Sequence, residues 1–351
     1  MAYINGIGII SPQNTLPGSG FLEPVVEQTA DFLKCIEPVY KTYIDPLAAR
    51  RLSRLIKMGI SSARICIRDA GIEMPDAIIT GTGLGSIEDT EKILGEMRQE
   101  ERFLNPTPFI QSTYNTISSQ IAINLKCHHY NSTYVHRAFS FESCLVDAML
   151  QLEEGSSENV LAGGIDEMTI NHLSIIRRLG DWKRGPMSNL DLWRSDTPGA
   201  LAGEGAAYFI LSLKKTGSTY ATVETAETLY KPASSEQTAG FIKEFLYQHG
   251  LSPEDIDLVM MGNNGNMEHD QVCEDIISLA LPRASKVLYK HLCGEYHTVS
   301  GFALYTASNI LRGQSIPGAL QLESPAPDRI NNILIHNHFR NVDHAFILVR
   351  R

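Results

Sequence analysis

Cysteine is the residue type with the widest chemical range in this sequence, and its six copies are scattered along the chain. No two of them form a Cys-x-x-Cys pair; they are Cys35, Cys66, Cys127, Cys144, Cys273 and Cys293. Zinc sites and disulfide frameworks use closely paired cysteines, so this spacing favours reduced thiols in a cytoplasmic protein. The sequence therefore predicts neither a metal site nor a bound cofactor, and it leaves single thiols as candidate nucleophiles.

A glycine-rich turn is a second candidate for chemistry, because such turns bind nucleotide phosphates. Residues Thr80–Gly85 read Thr-Gly-Thr-Gly-Leu-Gly. The dinucleotide fingerprint requires Gly-x-Gly-x-x-Gly, and here the third glycine comes one residue too early. We interpret the segment as a tight exit from a buried strand.

The elements that must position these residues alternate between apolar strands and amphipathic helices, which is typical of an α/β fold. Apolar residues recur at helical spacing from Pro46 to Gly71, and Gly71 is expected to end that helix. The second half repeats the succession of elements of the first, with a seam near residue 214, so we divide one compact unit into residues 1–213 and 214–351. Further expected helices are Gln111–Leu125, Ser140–Glu154, Ser234–His249, Gln271–Leu281 and Val299–Leu311.

Composition excludes several functional classes. The 351 residues are 43% hydrophobic and 20% charged, which is ordinary for a globular chain. A net charge of −10 disfavours nucleic-acid binding as a main role. No apolar run reaches the roughly 18 residues of a membrane span. The first residues carry neither a basic region nor a small-residue cleavage site, so no signal peptide is expected.

Five segments in collinear order resemble the β-ketoacyl synthase branch of the thiolase-like fold. They are YINGIGIISPQ (3–13), LAARRLSRLIKMGISSARICIRDAGI (47–72), NPTPFIQSTYNTISSQIA (105–122), VLAGGIDEM (160–168) and ALAGEGAAYFILS (200–212). The resemblance implies two similar αβ halves that form a layered α-β-α-β-α sandwich. It also implies a known chemistry, in which a cysteine at a helix N-terminus takes an acyl chain from an acyl carrier protein. The helix end lowers the pKa of that thiol, and two histidines then support condensation with a malonyl unit.

The nucleophile position of that family does not hold a nucleophile here. Counting back from Gly163 by the family's usual helix length places it at Ala138, and a slip of one residue gives Arg137 or Phe139. The fallback candidates are Ser140 and Cys144. Cys144 is expected more than one turn inside the helix, where a small buried core residue is the competing interpretation.

The two histidine positions are also changed. The first corresponds to Gly262, and the nearby His269 is expected to be a solvated loop residue. The second corresponds to Glu295, whose negative charge would repel a malonyl carboxylate unless it is protonated or paired, for instance with Lys290. His297 is the fallback for this role.

The last active-site loop of the family, Gly-Phe-Gly-Gly, corresponds to Phe339–His344, which contains no glycine. Non-glycine residues are not expected to follow a backbone path with positive φ. His344 or Asp343 is a candidate for new contacts there, and His344 is counted among the expected pocket residues. Because loss of the nucleophile alone costs on the order of 10⁶ in rate in triad enzymes, we expect negligible condensation by this chain.

A synthase-like chain of this kind resembles chain-length factors, and most of all the small degenerate proteins of aryl-polyene and flexirubin-type pigment clusters. We therefore expect a non-catalytic partner of an active ketosynthase, paired through the strand Asn131–His136, or a homodimer. One alternative is an enzyme with a rearranged active site that uses Ser140, Cys144 or His297, namely a 3-oxoacyl-carrier-protein synthase, a malonyl decarboxylase or an acyltransferase. The other is a protein that only binds an acyl chain or carrier protein.

Two groups of side chains are candidate contact residues under this resemblance. Aromatic side chains near the expected pocket either shape an acyl tunnel or belong to the core; they are Phe109, Phe139 and Phe141. Four basic side chains on the predicted helix 46–71 either dock an acidic acyl carrier protein or form a solvated face; they are Arg50, Arg51, Arg54 and Lys57.

Overall fold

The structure is a computed structural model that describes residues 1–99, 104–322 and 326–351. The strands of the first half are β1 (Ala2–Ile10), β2 (Thr29–Ala30), β3 (Phe32–Leu33), β4 (Ala77–Gly81), β5 (Tyr130–Tyr134), β6 (Val160–Asp166), β7 (Met187–Ser188), β8 (Ala202–Gly203) and β9 (Gly205–Ser212). Its helices are α1 (Pro46–Ala49), α2 (Arg54–Ala70), α3 (Ile87–Gln99), α4 (Pro106–Gln111), α5 (Thr116–Leu125), α6 (Ser140–Glu153) and α7 (Ile170–Arg177).

The second half has fewer elements. Its strands are β10 (Ala221–Tyr230), β11 (Leu258–Met261), β12 (Ser285–Leu288), β13 (Gln321–Leu322), β14 (Asn332–Phe339) and β15 (Asp343–Arg350). Its helices are α8 (Ser235–Gln248), α9 (Met267–Ala280), α10 (Lys290–Cys293) and α11 (Ser300–Gly313).

Strand pairing follows the same order in both halves. In the first, β1 is antiparallel to β9 and β9 to β6, whereas β6, β4 and β5 are parallel to one another. In the second, β10 is antiparallel to β15 and β15 to β14, whereas β14, β11 and β12 are parallel. A short ladder between β1 and β10 joins the two sets into one continuous sheet. The chain is therefore built as a structural repeat, and the division at residues 213 and 214 stays a prediction as a domain boundary.

The three largest of the five apolar clusters among the described residues lie between and outside the two sets of strands. The central core contains α6 and α11 together with inward residues of both halves, for example Phe141, Phe209 and Phe302. One outer core packs α2 and α5 on the first half, and the other packs α8 and α9 on the second. Residues of β4, β6, β9 and β11 alternate between the central and the outer cores, so these strands are apolar on both faces. The α/β class and the five layers expected from the resemblance are confirmed.

The helix predicted for Pro46–Gly71 is two helices, so that prediction is wrong at its start. Pro46 begins α1, and Ser53 precedes α2. The side chain of Gln111 fixes the break, because its Oε1 accepts from the backbone N–H of Ser53 at 2.9 Å and its Nε2 donates to the carbonyl of Arg51. The predicted end of α2 is correct, with Gly71 at φ 67°.

Two further helix starts differ from prediction. The helix expected from Gln111 begins at Thr116, because α4 ends at Gln111. The helix expected from Gln271 begins at Met267, where the side chain of Asn266 accepts from the backbone N–H of Glu268. His269 therefore lies half-buried in the first turn of α9 rather than in a solvated loop.

Candidate active site

The turn between β5 and α6 is the place where the resemblance puts a nucleophile. Within this turn, the backbone of Arg137 has a left-handed conformation, with φ 47°. Ala138 is buried, and the ring of Phe139 stacks on that of His136 with 5.4 Å between centroids. Arg137, Ala138 and Phe139 carry neither a thiol nor a hydroxyl, so the turn before α6 has no group that could attack a thioester.

The hydroxyl group of Ser140, the first fallback nucleophile, is hydrogen-bonded to the surrounding backbone. Its Oγ lies 2.7 Å from the carbonyl of Arg137 and 3.0 Å from that of Thr82, and it accepts from the N–H of His136 at 2.9 Å. No imidazole or carboxylate side chain is among its hydrogen-bond partners. An unactivated hydroxyl is a weak nucleophile, and this one holds the turn together.

Cys144, the second fallback, lies in the central core. Its thiol is fully buried and donates to the carbonyl of Ser140 at 3.1 Å. Burial raises the pKa of Cys144 well above its ordinary value, and Glu142 and Asp147 add to this effect. The thiol is therefore kept protonated, whereas attack on a thioester requires the thiolate.

Gly262, which the resemblance aligns with the first histidine, leaves little room for a side chain. A Cβ atom built on it would lie 2.9 Å from the carbonyl oxygen of His336. The loop that follows is held by Asp270, which accepts from the N–H groups of Asn264 and Gly265 at 2.8 and 3.0 Å. An imidazole at this position would require the neighbouring strand to shift.

Glu295, at the second histidine position, is paired as the sequence suggested. Its Oε2 lies 2.6 Å from Nζ of Lys290, and both side chains are buried. The same oxygen accepts from Nδ2 of Asn264 at 2.9 Å. A carboxylate so engaged accepts hydrogen bonds and cannot donate one to a thioester oxygen, as a histidine at this point would.

His297, the fallback for the second histidine, packs against Phe339. Its ring lies 4.9 Å from that of Phe339, and burial lowers its pKa although Asp166 opposes this. The cavity beside it, lined also by Trp182 and Tyr296, has a volume of about 20 Å³. Ligand pockets measure roughly 300–1,000 Å³, so this cavity is too small to hold an acyl chain.

The hairpin between β14 and β15 replaces the glycine-rich loop. Arg340 and Asn341 both adopt positive φ, at 56° and 53°, so the expectation that non-glycine residues would avoid this conformation is wrong. Arg340 pairs with Asp181, which fixes the turn. His344 lies inside, with Nδ1 3.1 Å from Nε2 of His336, and burial lowers its pKa to about 4.

An open cleft of about 750 Å³ lies between this hairpin and the start of α6, with Arg137, Phe139, Tyr230, Phe339, Arg340 and Asp343 among its lining residues. Of the four predicted pocket residues, Phe139 alone lines it. Phe109 is 61% exposed on α4, and Phe141 packs against Phe209 in the central core at 5.8 Å. His344 faces His336 instead. The structure therefore does not bring these four side chains together.

The predicted basic face is divided by the break between α1 and α2. Arg50 and Arg51 are exposed in the break. Arg54 instead forms an ion pair with the fully buried Glu204 and a second one with Glu37. Nζ of Lys57 lies over the ring of Tyr40, 5.8 Å from its centroid. Only the first two side chains are free to contact a carrier protein.

Sequence reasoning missed the residue that joins the two halves behind the site. Asp166, at the end of β6, accepts from the N–H of Gly83 at 2.8 Å and from both the N–H and the hydroxyl of Thr298 at 2.9 Å. The signal was present as an acidic residue directly after an apolar strand, Val160–Ile165. Such a buried carboxylate needs donors, and their positions could not be read from the sequence.

Two kinds of feature are absent from the described residues. Across 1–99, 104–322 and 326–351, no three side chains of His, Cys, Asp or Glu are placed to hold a metal ion. In the same ranges, every helix is too short or too polar to cross a membrane.

Comparisons with known proteins agree with the fold that the structure shows. Residues 27–170 match the family model described as β-ketoacyl synthase, N-terminal domain. The chain also superposes on solved ketosynthases over nearly its whole length. The chain has the β-ketoacyl synthase fold. The resemblance inferred from the sequence is therefore confirmed.

Three solved structures illustrate the match. The ishigamide ketosynthase/chain length factor superposes with a TM-score of 0.81 at 17% identity, covering 99% of this chain and 98% of that one. A β-ketoacyl synthase from Burkholderia phymatum STM815 gives 0.82 at 13%, covering 100% and 99%. The ketosynthase ApeO in complex with its chain length factor ApeC, from Xenorhabdus doucetiae, gives 0.77 at 13%, covering 99% and 97%. No curated protein matches the sequence significantly.

Proposed function

We propose that the chain is a non-catalytic partner subunit of an active ketosynthase, of the chain-length-factor type. The observation that carries this proposal is the open outer edge of β5. Strand β5 pairs with β4 on one side, and no strand of the described chain pairs with its other side. An unpaired edge is a ready template for another strand.

The internal repeat provides a comparison for this edge. Strand β12 occupies the position of β5 in the second half, and there β13 covers the outer edge. Apolar side chains beside β5 are also exposed, with Val135 at 41% and Leu150 at 49%. An uncovered edge next to exposed apolar residues fits a protein interface.

The state of the candidate active site supports a non-catalytic role. The three family positions hold Ala138, Gly262 and Glu295, and the fallback groups Ser140 and Cys144 are engaged in hydrogen bonds within the core. We extend the proposal to polyene-pigment biosynthesis on the sequence resemblance, and to contact with an acyl carrier protein at the exposed Arg50 and Arg51.

The test is capture of the partner from the organism that makes this chain. The tagged wild-type chain should purify in a 1:1 complex with a ketosynthase that carries its own catalytic cysteine. Val135→Asp places a charge beside β5 and should abolish the complex. Leu279→Asp is the matched control, since Leu279 is 46% exposed on the distant helix α9, and it should leave the complex intact. A chain that is monomeric, or that pairs only with itself, would refute the proposal.

A second measurement addresses the enzyme alternative. The isolated chain is incubated with an acyl-carrier-protein thioester, beside a ketosynthase that becomes acylated, and the intact mass is recorded. We expect no acyl adduct on the chain. An adduct that maps to Cys144 or Ser140, and is lost in the alanine variant, would favour the altered enzyme instead.

A further inference from the structure

We infer that the open edge of β5 selects its partner by charge. It disfavours a second copy of this chain and favours a ketosynthase whose own edge strand has acidic residues at both ends. This inference rests on the proposed function and specifies the chemistry of the partner. The flanks of β5, as we name them, are residues 126–129 before the strand and residues 135–137 after it.

The flanks of β5 carry basic side chains and no acidic ones. Five exposed side chains there are cations or imidazoles: Lys126, His128, His129, His136 and Arg137. Residues 102–141 contain neither aspartate nor glutamate, although the chain has 40 of them in 351 residues and a net charge of −10. The open edge is therefore a positively charged region of an acidic protein.

The two permanent charges of the flanks are not neutralised within the described part of the chain. Neither Lys126 nor Arg137 forms an ion pair there. Asp147, on α6, is buried and accepts from the hydroxyl of Tyr130 at 3.1 Å. Asp343 lines the same cleft as Arg137 without pairing with it. Both cations therefore stay available to a partner.

Pairing with a second copy of the chain would bring like charges together. A twofold axis perpendicular to the sheet pairs an edge strand with its copy in antiparallel orientation. The flank before β5 in one copy then lies beside the flank after β5 in the other. With the axis at Ser132, the middle residue of β5, His128 faces His136, and Lys126 comes next to the position opposite Arg137. Like charges in such cross-strand positions are destabilising, and the symmetric dimer contains this contact twice.

A different chain with acidic flanks removes this cost. Each repulsion of the homodimer becomes an attraction in the heterodimer, so both effects add to the difference in free energy between the two assemblies. Charges at the rim of an interface act chiefly on specificity and on the rate of association. We therefore expect the partner ketosynthase to carry aspartate or glutamate within a few residues of each end of its edge strand.

The first experiment reverses the charge of one flank at a time. The wild type, Lys126→Glu and Arg137→Glu are each purified without a ketosynthase and compared by sedimentation at 50 mM and 1 M NaCl. The wild type should be monomeric at 50 mM and associate more strongly at 1 M, where the screening length falls to about 3 Å. Each reversal leaves one flank basic and makes the other acidic, so two copies become complementary. Both variants should dimerise at 50 mM NaCl with a Kd at least tenfold below that of the wild type.

The second experiment measures the Kd of the same chains for the captured ketosynthase. Both reversal variants should bind it at least tenfold more weakly than the wild type at 50 mM NaCl, and this difference should shrink at 1 M. Arg283→Glu is the matched control, because Arg283 is exposed just before β12, near the opposite end of the sheet. It should behave as the wild type in both experiments, and circular dichroism verifies that every variant is folded.

The possible failures are distinguishable. Wild-type affinity for the ketosynthase in both reversal variants would overturn the inference while leaving the partner role intact. A wild-type homodimer as tight at 50 mM as at 1 M NaCl would overturn it too, as would a captured ketosynthase without acidic residues beside its edge strand. Failure of the wild-type chain to bind any ketosynthase would instead remove the proposed function on which the inference rests.

Discussion

Replacing Glu142 by glutamine should remove a pH-dependent part of the chain's stability. Burial raises the pKa of Glu142 from 4.5 to about 7, and the nearby Ser300 and Lys290 offset this only in part. Between these values the folded chain binds more protons than the unfolded chain, so its free energy of unfolding falls as the pH rises. The interval from 4.5 to about 7, at about 1.4 kcal/mol per pH unit, amounts to about 3 kcal/mol.

The glutamine variant stays neutral throughout, so it should gain about 3 kcal/mol relative to the wild type between pH 4.5 and pH 8. The assay is urea unfolding of both chains at half-unit pH steps, followed by circular dichroism and extrapolated linearly to water. Other titrating groups contribute equally to both chains and cancel in the difference. Glu153→Gln, on the exposed side of the same helix, should show no such trend. A difference between Glu142→Gln and the wild type that stays constant over this range would refute the reasoning.

Three further predictions concern the buried groups. Asp166→Ala should destabilise the chain by about 3–5 kcal/mol, because its buried donors lose their acceptor; a loss below about 1 kcal/mol in chemical unfolding would contradict this. Glu204→Gln should cost about 3 kcal/mol, since it leaves Arg54 without its buried partner, whereas Lys214→Ala in an exposed ion pair should change stability by less than about 0.5 kcal/mol. Iodoacetamide at pH 7.5 should leave all six buried thiols unmodified in the native chain and alkylate all six in urea, counted by intact mass; rapid labelling of Cys144 in the native chain would show that it is accessible.

Much of the fold could be predicted from local patterns. The periodicity of apolar residues located α6, α8 and α11 to within a few residues. Each of these helices buries one face, and the residues of that face recur in the sequence every three or four positions. The break before α2 was not predicted, because no local pattern marks it. It depends on the side chain of Gln111, which lies about sixty residues away in sequence and contacts the break only after folding.

The same distinction between local pattern and long-range contact applies to the candidate site. From the sequence alone, the resemblance predicts that Ala138, Gly262 and Glu295 stand where the related enzymes have a thiol and two imidazoles, and that prediction needs only the identity of each residue. Only the tertiary structure decided what surrounds them. It paired Arg54 with the buried Glu204, and it buried Glu142 near Ser300 and Lys290. Burial and pairing are set by residues far apart in the chain, and a sequence pattern records the side chain but not the neighbours that determine its charge and its accessibility.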